Sequence, residues 1–412
     1  MKVLMIAPQP YFEPRGTPIS VYQRLHGLAA LGYEVDLLTY HIGKDVTFPG
    51  MQIHRIPPIP FIHAIKIGPS YAKLLLDLVL LLKAILMLWR NRYHAMHVHE
   101  EAGFFAMVLS RLFGVPYIYD MHSCLAQQLA NSRYGRYPIL VKIFEVLERR
   151  VLHTCDGLIT IGADLEERAM AINNMVKHVR VENLPVHVTD PAPAPATVEQ
   201  LRAELGLIGR TPIVYTGTFE PYQGLDLLFA SAALVVQQAP HVCFVLVGGR
   251  LDQVADWKAE IAKQGLQDHV IFVGAVAPAE TLAYLELAHI LVSPRTTGLS
   301  VPLKVYTYMY AGKPIIATDI IAHSQVLDGT SALLVPSTKE AFADGIVKLM
   351  DDTTLRKQLG ACAHEVAKQR FNSESYLLKL EWIYHAIPAI ASGAVPAVHA
   401  RPAVTKPKAV SE

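Results

Sequence analysis

The feature that most constrains this chain is a repeated alternation of short apolar runs with longer stretches of helical spacing. The first half carries five such runs: Val3–Ala7, Val35–Thr39, Ala95–Val98, Tyr117–Tyr119 and Leu158–Ile161. Between them lie Ile19–Leu31, Tyr71–Trp89, Gly103–Phe113 and Tyr137–His153, whose apolar residues recur with helical period. Strands that alternate with helices predict a parallel sheet covered on both faces. Residues 189–197, TDPAPAPAT, can sustain neither a helix nor a central strand. The alternation then restarts: strand Ile213–Thr216, helix Leu225–Gln238, and strands Cys243–Val247, Val270–Val273, Ile290–Ser293, Ile315–Ala317 and Leu333–Val335. The expected fold class is therefore α/β, with two doubly wound domains at 1–188 and 198–372. A last helix over 373–386 precedes a flexible tail at 388–412.

Composition narrows the function. An apolar fraction of 52% against 18% charged residues builds two cores and excludes a disordered chain. Lysine and arginine number 37 and acidic residues 36, a net charge of +1 that offers no field for nucleic acid. Cys124, Cys155, Cys243 and Cys362 are scattered without a Cys-x-x-Cys pair, which suits a reducing cytoplasmic compartment and no structural zinc. The opening MKVLMIAP is read as a buried strand, not a signal peptide. Residues 71–89, YAKLLLDLVLLLKAILMLW, approach membrane-spanning length, but Lys73, Asp77 and Lys83 interrupt them. A helix is expected there, with Lys66, Lys73, Lys83, Arg90 and Arg92 available for peripheral contact with the inner membrane face.

Several loops at strand ends carry chemistry. Glu13-Pro14-Arg15-Gly16-Thr17-Pro18 joins the first strand to a helix expected to start after Pro18; a glycine there lets backbone approach a ligand. It is not Gly-x-Gly-x-x-Gly, so no dinucleotide cofactor is expected. His122 follows the strand Tyr117–Tyr119 and faces the carboxyl edge of the sheet. His97, His99, Glu100 and Glu101 form the one dense His/Glu cluster, without zinc-ligand spacing, so no metal is expected. In the second half Gly217, Thr218, Gln223 and Gly224 follow one strand and Gly248 the next. The richest segment runs from Ser293 through Arg295, Gly298, Leu299, Ser300 and Val301 to Pro302, then into a helix with Lys304 and Thr307. A helix start flanked by two cations suits a diphosphate.

Taken in order, these motifs resemble the family-four, group 1 glycosyltransferases, which have the GT-B fold of two Rossmann-like domains facing across a cleft. The resemblance covers residues 1–386. It rests on Gly16, Leu31-Gly32-Tyr33-Glu34-Val35, Met96-His97-Val98-His99, His122, Leu158-Ile159-Thr160-Ile161, Asn183-Leu184-Pro185, and Gly217 with Gly224. Its most specific part is Lys304 followed by Tyr308-Met309 and Ala311-Gly312-Lys313-Pro314-Ile315-Ile316-Ala317-Thr318. The resemblance implies a nucleotide-sugar donor in the C-terminal domain and a glycan or lipid-linked acceptor in the N-terminal one. It implies a crossing last helix, metal-independent transfer with retention, and His122 near the transferred sugar. The chain departs from the family at four donor-side positions. Thr218 and Gln223 stand where an arginine and a lysine are usual, and Leu299 and Thr307 where two glutamates are usual. Two readings follow: Arg295 and Lys304 replace the missing charge in an active enzyme, or the chain is a silent GT-B module that binds a nucleotide, a glycan or a partner enzyme.

Overall fold

The computed structural model describes residues 1–13, 16–63, 65, 70–132, 134–185, 198–277 and 280–392. Seven strands form the first sheet: β1 (Lys2–Ala7), β2 (Glu34–Thr39), β3 (Met51–Arg55), β4 (Ala95–His99), β5 (Tyr117–Met121), β6 (Gly157–Thr160) and β7 (Lys177–Arg180). Their order is β3-β2-β1-β4-β5-β6-β7, and every adjacent pair is parallel. The second sheet holds β8 (Thr211–Thr216), β9 (Val242–Val247), β10 (Val270–Gly274), β11 (Ile290–Ser293), β12 (Ile315–Thr318) and β13 (Leu333–Val335). Its order, β10-β9-β8-β11-β12-β13, is again parallel throughout. In each sheet the strand order reverses beside the first strand, between β1 and β4 and between β8 and β11. Such a reversal opens a crevice at the strands' carboxyl ends.

The inner strands bury side chains on both faces; all six residues of β9 are buried. The strands missing from the sequence reading are the outer ones, β3 (MQIHR) and β7 (KHVR), edge strands whose polar residues break the apolar run. Helices Tyr71–Arg90, Ala102–Phe113 and Pro138–Thr154 cover one face of the first sheet through Leu76, Leu80, Ala106, Leu109 and Val151. The other face is covered by Gly16–Ala30 and, from the far end of the chain, by Ser373–His385 through Leu380, Ile383 and Tyr384. The last long helix thus crosses back onto the first domain.

Three expectations change. The first helix begins at Gly16 and takes Pro18 into its first turn, where the missing N–H has no intrahelical partner to lose. The tail expected from 388 starts later: Pro388–Ala391 is a short helix, and Ile387 and Ile390 extend the apolar face of the crossing helix into the core. Lys73 and Lys83 turn inward, Lys73 onto the Glu101 carboxylate and Lys83 onto the Arg55 carbonyl, so neither serves a surface. The expected linker 189–197, the boundary at 188, Pro14, Arg15, Lys66 and the chain from 393 lie outside the described residues.

The crossing helix docks where Gly27 has no side chain: a Cβ there would stand 2.9 Å from both Leu380 and Tyr376. Gly27→Leu is expected to lower unfolding free energy by about 1–3 kcal/mol, read by urea titration.

Candidate active site

The carboxyl ends of β8, β9 and β11 build one corner of the second domain. Two close backbone approaches shape it. A Cβ on Gly224 would stand 1.9 Å from the Pro294 carbonyl oxygen, and one on Gly248 would stand 2.0 Å from the Gly217 oxygen. Both glycines have positive φ, 75° and 123°. Lys304, on the first turn of helix Leu303–Ala311, lies 3.8 Å from the centroid of the Tyr215 ring, and its Nζ donates to Gln223 Oε1 at 3.2 Å. The Gln223 amide reaches Thr218 Oγ1 at 3.4 Å. Arg295 lies over the Tyr222 ring, 5.1 Å from its centroid. Its Nε donates to Thr297 O at 2.6 Å and its Nη1 to Ser300 O at 3.3 Å. Tyr308 fixes the helix to the strand end, its hydroxyl accepting the Thr216 N–H at 2.7 Å.

The electrostatics follow from this geometry. Burial, then the neighbouring Arg295, pushes Lys304 well below the ordinary lysine range; burial also lowers Arg295. Neither cation pairs with a carboxylate among the described residues. Both side chains are half-buried and are held by carbonyls, an amide and aromatic faces. The helix behind them has no side-chain cap, and Val301 and Pro302 are buried at its start. Thr307 is buried one turn further in, and Leu299 is half-buried in the loop with Gly298 and Ser300.

In the first domain β4 and β5 place His97, His99, Asp120 and His122 together. His122 Nε2 lies 3.1 Å from Asp120 Oδ1 and 3.1 Å from His99 Nδ1. Asp120 Oδ2 accepts from the fully buried Arg24 at 2.8 Å and meets His97 Nε2 at 3.1 Å. Burial alone would raise the Asp120 pKa, but Arg24, with His122 and His97, holds it well below the carboxylate range. His97, His99 and Asp120 place candidate ligand atoms within 4.8 Å of one another. A metal there would compete with the Arg24 guanidinium, which already neutralises the carboxylate. Gly16 and Thr17 open the first helix, and Glu13 precedes it by the β1 loop. His122 and the cation pair therefore belong to different domains. The two carboxyl edges meet where the Asp164 N–H donates to Gln325 Oε1 at 3.3 Å and the Gln325 amide donates to the Leu299 carbonyl.

The sequence reading gave no role to Tyr215 and Tyr222 as an aromatic shelf, nor to Asp120 and Arg24, and it weighed Glu100 only as a member of the His/Glu cluster. A tyrosine immediately before Thr216-Gly217 at a strand end pointed to the shelf. Glu100 follows β4 with φ 49°, a left-handed backbone that a non-glycine residue adopts at a cost, and such strain gathers at functional sites. Its Oε2 accepts from Ser123 Oγ at 2.7 Å. Burial raises its pKa from the ordinary 4.5 to about 7. The unfolded chain ionises Glu100 first, so this group favours the folded state below pH 4.5, and that contribution fades as pH rises to about 7. Relative to Glu100→Gln, the native chain is expected to lose up to about 3 kcal/mol of stability between pH 4.5 and pH 7, read by urea unfolding across that window.

Comparison with known proteins places these observations. A family described as glycosyl transferase 4-like domain matches residues 15–187, and one described as glycosyl transferases group 1 matches residues 210–352. A phosphatidyl-myo-inositol mannosyltransferase of Mycobacterium leprae is 25% identical over 376 residues, 90% of this chain and 92% of that one. Sucrose-phosphate synthase of Thermosynechococcus elongatus superposes with a TM-score of 0.74 at 22% identity, covering 93% of this chain and 98% of the other. HepE of Anabaena, solved with UDP and glucose, gives 0.70 at 17% identity with the same coverage. The chain has the GT-B fold and belongs to the group 1, family-four glycosyltransferases.

Proposed function

We propose that the chain transfers a sugar from a nucleotide-diphosphate donor to a glycan or lipid-linked acceptor, without a metal and with retention at the anomeric carbon. The observation that carries this reading is the cation corner: Arg295 and Lys304 stand half-buried, without a carboxylate partner among the described residues, beside a helix start that has no side-chain cap. A diphosphate supplies the missing charge, and its departure as a leaving group is eased by the same groups. Gly217, Gly248 and Gly298 adopt the positive φ that turns their loops around this corner, and Gly298 lets the Arg295 guanidinium pack against the backbone. Thr218, Gln223, Ser300 and Thr307 offer hydroxyl, amide and carbonyl groups, while Leu299 and Val301 line the loop. Arg295 and Lys304, the latter bonded to Gln223 Oε1 at 3.2 Å, stand in for the usual arginine and lysine, which favours the active reading over a silent module. A donor with UDP is supported by the HepE complex of the same fold.

The first domain takes the acceptor. Gly16, Thr17 and Glu13 border that side, and His122 faces the transferred sugar as a hydrogen-bonding group. The leaving phosphate receives the acceptor's proton, so no carboxylate base is required. No helix among the described residues is long and apolar enough to cross a membrane. Helix Tyr71–Arg90 nonetheless exposes Leu74, Leu78, Leu82 and Trp89 along one stripe, and Val108 and Leu112 are exposed on the adjacent helix. Arg90, Arg92 and Arg111 are exposed nearby. An apolar stripe with basic residues near its end suits the surface of an anionic bilayer, where a lipid-linked acceptor resides.

Lys304→Ala and Arg295→Ala are each expected to weaken UDP binding by about 1.5–3 kcal/mol in calorimetry; native affinity in both variants would remove the diphosphate from this corner. Vesicles of phosphatidylglycerol are expected to co-sediment the native chain and to release Leu78→Glu/Leu82→Glu; equal binding of both would move membrane contact elsewhere. The anomeric proton signal of the product in NMR decides retention.

A further inference from the structure

The first domain holds a buried polar chain that the transfer chemistry outlined above does not use. Arg24, on the first helix, is completely buried and satisfies three acceptors: Asp120 Oδ2 at 2.8 Å, Tyr376 OH at 2.7 Å and Val181 O at 2.7 Å. His97 joins Asp120 Oδ2 through Nε2 at 3.1 Å and the Tyr384 hydroxyl through Nδ1 at 2.9 Å. Tyr376 and Tyr384 both come from the crossing helix Ser373–His385.

A buried ion pair is a poor source of stability, since well-packed apolar residues of the same volume serve as well or better. Its arrangement here is asymmetric. Oδ2 of Asp120 is shared by Arg24 and His97, while Oδ1 is buried without a hydrogen-bond partner among the described residues and makes an ion-pair contact with His122 Nε2 at 3.1 Å. The hydrogen bond of that nitrogen runs to His99 Nδ1, also at 3.1 Å, so the carboxylate's charge and the His99 ring together hold His122 in place. Arg24 keeps the carboxylate ionised for this purpose, and the two tyrosines keep Arg24 and His97 in place.

We propose that Asp120 is the positioning residue of His122, anchored by Arg24 and completed by Tyr376 and Tyr384 of the crossing helix. The anchor reaches His122 from a segment that follows the whole second domain in sequence, so the seating of the crossing helix and the aim of the histidine are one event. The inference rests on the placement of His122 beside the transferred sugar.

The test is a double-mutant cycle on donor hydrolysis with UDP-glucose. Asp120→Asn alone leaves Arg24 uncompensated, so the neutral pair Arg24→Gln/Asp120→Asn and the mild Tyr384→Phe are compared in chains with and without His122→Ala. With His122 present, the neutral pair is expected to lower kcat by on the order of 10²-fold, and Tyr384→Phe by a smaller factor. UDP affinity is expected to change less than about twofold, because the donor site lies in the other domain. With His122→Ala present, neither change is expected to lower kcat further. An equal loss in both backgrounds would make the network structural only and overturn the proposal, as would native kcat in the neutral pair. If the neutral pair fails to fold, Tyr384→Phe decides alone by the same cycle. Native turnover by His122→Ala would instead overturn the placement of His122, and the proposal with it.

Discussion

The structure depends on the requirement that a parallel sheet be covered on both faces. Parallel strands need crossovers, the crossovers are helices, and those helices must bury a continuous apolar layer on each side. The first sheet meets this on one face with helices that intervene between its strands. On the other face it uses the first helix together with a helix from the end of the chain. Everything near His122 inherits that arrangement. Arg24 and Tyr376 can be buried only because the two helices that bear them lie against each other, with Gly27 allowing the close approach.

The two domains solve the same topological problem and reach different electrostatics. In the first, a cation and a carboxylate neutralise each other in the core and leave histidines around them. In the second, Lys304 and Arg295 rest on tyrosine rings and carbonyl oxygens, with their charge uncompensated by any carboxylate among the described residues. The difference matters chemically. A neutral pair orients a neighbouring ring without attracting ions, whereas an uncompensated pair raises the local potential and gathers anionic ligands. The carboxyl edges of both sheets come together through Gln325, which touches the Asp164 backbone on one side and the Leu299 carbonyl on the other.

Much of this was legible in the chain. Runs such as Val242–Val247 are apolar without interruption, and a strand buried on both faces leaves that mark. The edge strands β3 and β7 were not legible, because His54, Arg55, Lys177 and Arg180 place polar groups where a periodic apolar pattern would be sought. The loop with Arg295 and the helix bearing Lys304 were recognisable as a candidate anion site from glycine, proline and charge at a strand end. Their aromatic supports were not, since Tyr215 and Tyr222 read equally as core. Asp120 and Arg24 lay 96 positions apart on a strand and a helix, and no local spacing links them. The inward turn of Lys73 was hidden for the same reason: its partner, Glu101, sits on a different element.

The return of the Ser373–His385 helix to the first sheet has a consequence for how the molecule is made. Ribosomes deliver the chain from its amino end, so every strand of the first sheet emerges before the helix that seals it. Until that helix arrives, Val21, Leu25 and Leu28 lack part of their apolar cover, and Arg24 lacks the Tyr376 hydroxyl. Maturation of the amino-terminal half therefore waits on translation of the entire second domain, and the nascent intermediate exposes an apolar surface prone to aggregation.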